Sequence, residues 1–85
     1  MTDIHQAIRT FIAGEFLAGQ PVDSIKNDDQ LIRGGIIDSL GIFLLIGFIE
    51  KEFGVKIDPP EVVLENFETV NAIASLVTSK LAAKT

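Results

Sequence analysis

Ser39 is the side chain whose type and position most clearly suggest chemistry. Residues 34–41 read Gly-Gly-Ile-Ile-Asp-Ser-Leu-Gly, so this serine stands where a glycine-containing connection meets a predicted helix. A helix start offers free backbone N–H groups and the positive end of the helix dipole, which together favour a phosphate ester on the hydroxyl. The alternative is a purely structural helix cap, a role that suits both Asp38 and Ser39.

A catalytic role for Ser39 finds little support in the rest of the sequence. A Ser-His-Asp hydrolase would have to use His5, the only histidine, and the sequence has no Gly-x-Ser-x-Gly elbow. There is no cysteine, so neither a disulfide nor a thiolate metal site can form. The glutamates are expected to be solvated charges, with a paired-carboxylate metal or catalytic site as the less favoured alternative. We therefore expect a protein that is not an enzyme and holds no metal.

Length and charge narrow the class of protein further. A chain of 85 residues, 47% of them hydrophobic, suits one domain over residues 1–85. The net charge of −5 and the scattered basic residues argue against nucleic acid as a partner. The longest apolar run, residues 40–49, is too short to span a bilayer, which needs about 20 residues. The N-terminus shows no signal-peptide pattern, and we expect a cytoplasmic protein without a membrane span.

Four helices are predicted to position Ser39, over residues 3–18, 39–53, 59–65 and 70–82. Helix-start signals stand at Asp3, Asp58 and Thr69, and helix-stop signals follow at Gly19, Pro21 and Gly54. The connection over residues 20–38 is unusually long, and its isoleucines and leucine predict an ordered loop anchored on the core by Ile25, Leu31, Ile32, Ile36 and Ile37. No segment alternates convincingly, so the expected fold is an all-α four-helix bundle.

The second helix is apolar almost all round, which suggests two different surfaces. One predicted stripe faces the core and consists of Ile42, Leu45, Ile46, Ile49 and Phe53. Four more apolar residues, Leu40, Phe43, Leu44 and Phe48, lie off that stripe and are either additional core or a face that partners cover. Gly41 and Gly47 indicate either close helix packing or a shallow binding surface. We expect partners to dock at Phe43, Leu44 and Gly47.

The Asp38-Ser39-Leu40 tripeptide resembles the Asp-Ser-Leu motif of acyl carrier and peptidyl carrier proteins. Residues 50–55, Glu-Lys-Glu-Phe-Gly-Val, and residues 66–70, Asn-Phe-Glu-Thr-Val, resemble the same family at the end of helix two and at the entry to the last helix. The resemblance implies that Ser39, flanked by Asp38 and Leu40, receives 4′-phosphopantetheine from coenzyme A. The arm's thiol would then carry acyl or aminoacyl groups as thioesters. The implied partners are a phosphopantetheinyl transferase, an acyl- or aminoacyl-loading ligase and downstream transferases, and we expect a monomer.

Departures from the fatty-acid pattern leave the pathway open. The Gly-Ile-Ile-Asp-Ser-Leu-Gly run looks nearer to D-alanyl carriers and to stand-alone aminoacyl or peptidyl carriers. Gly41 and Leu44 stand where carriers of fatty-acid synthesis tend to have acidic residues. The cargo could belong to fatty-acid, polyketide, D-alanyl or nonribosomal peptide chemistry. The alternative function is a helical interaction or dimerisation module that uses helix two as its interface.

Overall fold

The computed structural model describes residues 3–17 and 24–83, which include four α-helices and a short 3-10 turn before the third of them. The helices are α1 (Ile4–Phe16), α2 (Ser39–Phe53), α3 (Leu64–Phe67) and α4 (Val70–Ala83), and the 3-10 turn Pro59–Glu61 precedes α3. No strand occurs within the described ranges. The predicted all-α fold with a short third helix is confirmed.

Helix boundaries follow the capping signals that the sequence carries. The Asp3 side chain accepts a hydrogen bond from the Gln6 N–H, and the Thr69 hydroxyl accepts one from the Ala72 N–H, at 3.3 and 3.0 Å. Gly54 ends α2 in the left-handed conformation with a φ of 66°, so both predicted boundaries of α2 are confirmed. The first helix ends at Phe16, earlier than predicted. Its predicted last residue and the expected stop at residues 19–21 lie outside the described residues.

The third helix differs from its prediction over residues 59–65. The chain forms the 3-10 turn, becomes extended at Val63 (φ −128°, ψ 154°) and only then enters α3. Two consecutive β-branched valines have low helix propensity, which favours a break at this point. The break lets Phe67 reach the core, where it is almost fully buried.

The core combines α1, α2 and α4 with the long connection. Its buried side chains include Ile8 and Ile12 of α1, Leu45 and Ile49 of α2, Val70, Ile73 and Val77 of α4, and Ile25, Leu31 and Ile37 of the connection. Ile32 and Ile36 pack against this core while partly exposed. All five predicted anchors of the connection therefore contact the core. Polar contacts add to them: Arg9 donates to the Asn27 side chain, and the Asn71 N–H donates to the Asn27 carbonyl at 3.0 Å.

Helices α1 and α2 run antiparallel. Phe16, at the end of α1, lies against the start of α2. Residues from the first half of α1 line a groove together with Phe48 and Glu52 near the end of α2. Phe48 is partly buried and its ring stacks on Phe11 with a centroid separation of 4.3 Å. Of the four off-stripe residues, Phe48 therefore belongs to the α1–α2 contact and not to an outward face.

Candidate attachment site

A tight turn at the end of the long connection sets the entry into α2. The Ile36 and Ile37 N–H groups both donate to the Leu31 carbonyl, at 2.9 and 3.0 Å. Gly35 has a φ of +78°, a conformation that L side chains rarely adopt. A Cβ on Gly34 would lie 2.4 Å from the Gln30 carbonyl oxygen, so this position also requires glycine. These two glycines allow the tight turn that leads into Asp38 and Ser39.

Leu31 connects this turn to the segment between α3 and α4. Its side chain is fully buried. Its N–H donates to the Glu68 carbonyl at 2.8 Å, between α3 and α4. The Leu31 carbonyl also accepts the hydrogen bonds from the N–H groups of residues 36 and 37. The segment that leads to Ser39 therefore cannot shift without breaking several contacts.

Ser39 is the first residue of α2 and is exposed, and Asp38 is the N-cap. The Asp38 Oδ1 accepts a hydrogen bond from the Gly41 N–H at 2.8 Å. The alternative that Ser39 serves as the cap is therefore wrong. In the first turn of a helix the N–H groups of Ser39 and Leu40 have no intrahelical acceptor, and they remain available to an anion bound at the serine oxygen.

The two glycines of α2 serve different purposes. A Cβ on Gly41 would lie 2.8 Å from Ile37 Cγ2 and 2.9 Å from Phe16 Cε1. Gly41 thus allows α1 and the connection to pack closely against the start of α2. A Cβ on Gly47 would meet no heavy atom within 4 Å, and this glycine is exposed. Close packing explains Gly41 but not Gly47.

Leu40, Phe43, Leu44 and Gly47 form an exposed stripe along α2, starting beside Ser39. The exposed fractions of Leu40, Phe43 and Leu44 are 68%, 67% and 47%. Their spacing of i, i+3, i+4 and i+7 places them on one helix face. No charged side chain belongs to the first ten residues after Ser39. The stripe is apolar surface directly next to the candidate attachment serine.

A second exposed apolar group, which sequence reasoning missed, lies before α3. Val62, Val63 and Leu64 are all exposed. Leu64 lines a cavity of about 130 Å³ with Ile32 and Arg33 from the connection that leads to Ser39. Three consecutive apolar residues cannot all face the core from one short helix, and this run was the available signal. The exposed apolar surface therefore has two parts.

The geometry excludes His5 as a base for Ser39. His5 is in the first turn of α1, at the end of the bundle where α2 finishes, because the two helices run antiparallel. Ser39 starts α2, whose 15 residues span about 22 Å. Among the described residues, no group of three or more His, Cys, Asp or Glu side chains could hold a metal ion. Glu50 accepts a hydrogen bond from the Ile57 N–H at 2.9 Å and so orders the chain after α2.

Comparison with known proteins decides the family. The family model for the phosphopantetheine attachment site matches residues 6–77. The chain belongs to this phosphopantetheine-binding family. It is 36% identical over 66 residues to the probable acyl carrier protein PigG of Serratia sp. (strain ATCC 39006), covering 78% of this chain and 75% of that protein.

A solved structure shows the same fold. A chain from the crystal structure of an FAD-dependent dehydrogenase aligns with a TM-score of 0.73 and 36% identity, covering 82% of this chain and 97% of that chain. Together with the family match, this solved structure confirms the fold of the carrier. The finer resemblance to D-alanyl carriers stays a prediction.

Family membership makes this chain a carrier that uses covalently attached 4′-phosphopantetheine and is not itself an enzyme. Carriers of this family interact with phosphopantetheinyl transferases and biosynthetic enzymes. The exposed hydroxyl at a helix start, with two N–H groups available for a phosphate, fits this group. No helix in the described part of the chain is long and apolar enough to cross a membrane.

Proposed function

We propose that Ser39 carries the phosphopantetheine arm and that residues 1–85 act as one carrier domain for acyl or aminoacyl thioesters. The observation that supports this most directly is the exposed Ser39 hydroxyl at the first position of α2, inside the matched family region. In loading, the hydroxyl attacks the pyrophosphate of coenzyme A, so that a phosphodiester forms and adenosine 3′,5′-bisphosphate leaves. The proton of the serine hydroxyl passes to the transferase.

The residues beside Ser39 have separate roles in this proposal. The N–H groups of Ser39 and Leu40 face the phosphodiester, whose negative charge the positive end of the helix dipole stabilises. Asp38 uses Oδ1 to cap α2 at Gly41. Its other carboxylate oxygen is directed to the transferase, so that Asp38 both holds the helix start and contacts the partner.

Partners are proposed to dock on the exposed stripe of α2. Phe43, Leu44 and Gly47 offer apolar and open surface within about 12 Å of Ser39 along the helix axis, and Leu40 joins them next to the arm. An enzyme that takes the arm into its active site must cover the surface from which the arm emerges. The transferase, the loading ligase and the downstream transferases therefore share this contact area.

The dehydrogenase structure suggests a further downstream partner. The alignment covers 97% of the matched chain but 82% of this one, so the matched chain is shorter than this one and of carrier length. We infer that an FAD-dependent dehydrogenase oxidises a group tethered to this carrier, in which case the flavin accepts the two electrons. The cytoplasmic location and the monomeric state stay predictions.

The absence of cysteine makes the attachment test direct. The chain has no thiol before loading, so treatment with coenzyme A and a broad-specificity transferase should add one thiol and the mass of one arm. Ser39→Ala should keep its helicity by circular dichroism and gain neither. Ser75→Ala changes an exposed serine of α4 and is the matched control that should load fully. Loading of Ser39→Ala would place the arm on another serine.

The same preparations separate the carrier from the dimerisation module. A module that dimerises through helix two would show a concentration-dependent mass by sedimentation and would gain no thiol. A carrier gains the thiol at every concentration, whatever its oligomeric state.

A further inference from the structure

The first turn of α2, which carries Ser39, contacts the bundle through a residue that has no side chain. Residues 38–40 are all exposed, whereas Gly41 is buried. The nearest other buried residues are Ile37 before the turn and Leu45 one turn later. Because a glycine has no side chain that could reach its neighbours, side chains of the bundle must pack onto its backbone to hold this turn.

Phe16, the last residue of α1, packs on this glycine. A Cβ built on Gly41 would lie 2.9 Å from Phe16 Cε1 and 3.1 Å from Phe16 Cζ, so the edge of the ring fills the space where a side chain would stand. The other close atom is Ile37 Cγ2 at 2.8 Å, which belongs to the connection that runs directly into the turn. Phe16 therefore provides a contact through which a separate helix, α1, holds the start of α2.

A row of ring contacts supports the Phe16 ring. Its centroid lies 6.3 Å from that of Phe11 at an interplanar angle of 81°, which is an edge-to-face arrangement. Phe11 stacks on Phe48 in the second half of α2. Aromatic pairs in these geometries stabilise beyond the burial of their area. The Phe16 ring thus contacts both Phe11 and Gly41, and these two contacts define its position.

The position of Gly41 bears directly on Ser39. The Gly41 N–H donates to Asp38 Oδ1 at 2.8 Å, and the Ile42 N–H donates to the Asp38 carbonyl at 3.0 Å. Ser39 lies inside the turn that these two hydrogen bonds close. A shift of Gly41 relative to the bundle therefore moves the serine with it.

We propose that Phe16 is a positioning residue for the attachment reaction, whose ring holds the first turn of α2 so that the Ser39 oxygen meets coenzyme A in one orientation. The proposal rests on the proposed function of Ser39. A displacement at phosphorus depends steeply on where the attacking oxygen stands. Since Gly41 is buried, Phe16 packs on a different side of α2 from the exposed stripe, and it should affect the reaction step and not docking.

Single-turnover loading measures these two steps separately. With coenzyme A saturating and a phosphopantetheinyl transferase in excess over the carrier, the limiting rate reports the reaction step and the half-saturating transferase concentration reports docking. Phe16→Leu removes the ring edge and keeps an apolar side chain. It should lower the limiting rate by about three- to tenfold and keep the half-saturating concentration within about twofold of the native value. A native limiting rate in Phe16→Leu would overturn the positioning role.

Phe53→Leu is the matched control. Phe53 is also a partly buried phenylalanine that packs against the core, but it ends α2, and its ring contacts Phe48 edge-to-face at 6.1 Å. The same substitution should lower the melting temperature there as well, with a native limiting rate of loading. Circular dichroism at the assay temperature checks that both variants are folded. Equal slowing of loading by the two substitutions would show that loading follows general stability, and the proposal would be wrong.

Combining Phe16→Leu with Gly41→Ala tests the contact itself. In the native chain the methyl group of Gly41→Ala meets the Phe16 ring, whereas part of that space is free in Phe16→Leu. The close approach to Ile37 is present in both backgrounds and largely cancels. Gly41→Ala should therefore slow loading by a factor at least about twofold smaller in Phe16→Leu than in the native chain. Equal factors in the two backgrounds would mean that ring and glycine act independently, contrary to the proposal.

Failure of the attachment proposal has a different signature from failure of this one. If Ser39 is not the attachment site, Ser39→Ala loads like the native chain. If Phe16 has no positioning role, Ser39→Ala stays unloaded while Phe16→Leu loads at the native limiting rate.

Discussion

Replacing each of the two helix-two glycines by alanine should have opposite effects on stability. Both positions lie inside α2, where alanine is favoured over glycine by about 1 kcal/mol in a helix interior. At Gly47 a Cβ meets nothing within 4 Å, so Gly47→Ala should gain most of that amount. At Gly41 the new Cβ would lie 2.8 Å from Ile37 Cγ2 and 2.9 Å from Phe16 Cε1, and those side chains must move.

The size of the difference follows from packing. Inserting a methyl group into a close contact costs about 1–3 kcal/mol. Both substitutions replace glycine by alanine, so the gain in helix propensity largely cancels when the two variants are compared. Gly41 is in the first turn of α2 and gains somewhat less from the higher propensity of alanine than Gly47. Gly41→Ala should therefore be less stable than Gly47→Ala by about 1–3 kcal/mol. At about 4–8 °C per kcal/mol for a domain of this size, the two melting temperatures should clearly separate.

Urea and thermal unfolding of both variants, followed by circular dichroism, measure this difference. Loading of Ser39 provides a second readout, because a displaced start of α2 should lower the loading rate of Gly41→Ala. Equal stabilisation by both alanines would refute the reasoning, since it would mean that Ile37 and Phe16 do not pack tightly on Gly41.

Three further predictions concern docking and pH. Leu44 is half exposed, so Leu44→Glu should change the unfolding free energy by less than about 1 kcal/mol. The same variant should raise the KM of the loading enzyme for the carrier. A collapsed denaturation midpoint would instead show that Leu44 belongs to the core. Titration of the holo protein against the loading enzyme at two ionic strengths should show less than about a threefold change in Kd, because salt does not screen the burial of apolar surface. A steep loss of affinity at the higher ionic strength would mean that acidic residues such as Asp28 or Glu68 steer binding. Lys80 lowers the pKa of Glu61 in the folded state, so the stability that this pair contributes is present above the ordinary glutamate pKa and is lost as the pH falls through the lowered value. The difference in urea midpoint between the native chain and Lys80→Met should therefore stay constant near neutral pH and shrink in acid, and a constant difference down to the acid limit would contradict this.

The local signals in the sequence were sufficient for the helices. Helix caps and left-handed glycines depend on residues within a few positions of one another, so Gly54 and Thr69 could be assigned correctly from the sequence alone, and Asp38 was one of two candidate caps for α2. The same locality explains why Ser39 could be singled out, since its setting at a helix start is a short-range property. The two-piece third helix was missed because the valines at 62 and 63 only weaken a helix locally, and burial of Phe67 in the bundle adds to the preference for a break at Val63.

The sequence by itself determined the helical class, the long ordered connection and the candidate serine, because periodicity, turn residues and a short motif encode them locally. Only the tertiary structure decided which apolar residues of α2 face outward, since this depends on where α1 and α4 pack. Phe48 turned out to stack on Phe11, whereas Leu40, Phe43 and Leu44 stay exposed. The bridge from Lys80 to Asp58 and Glu61 joins positions about twenty residues apart, and folding alone brings these charges together.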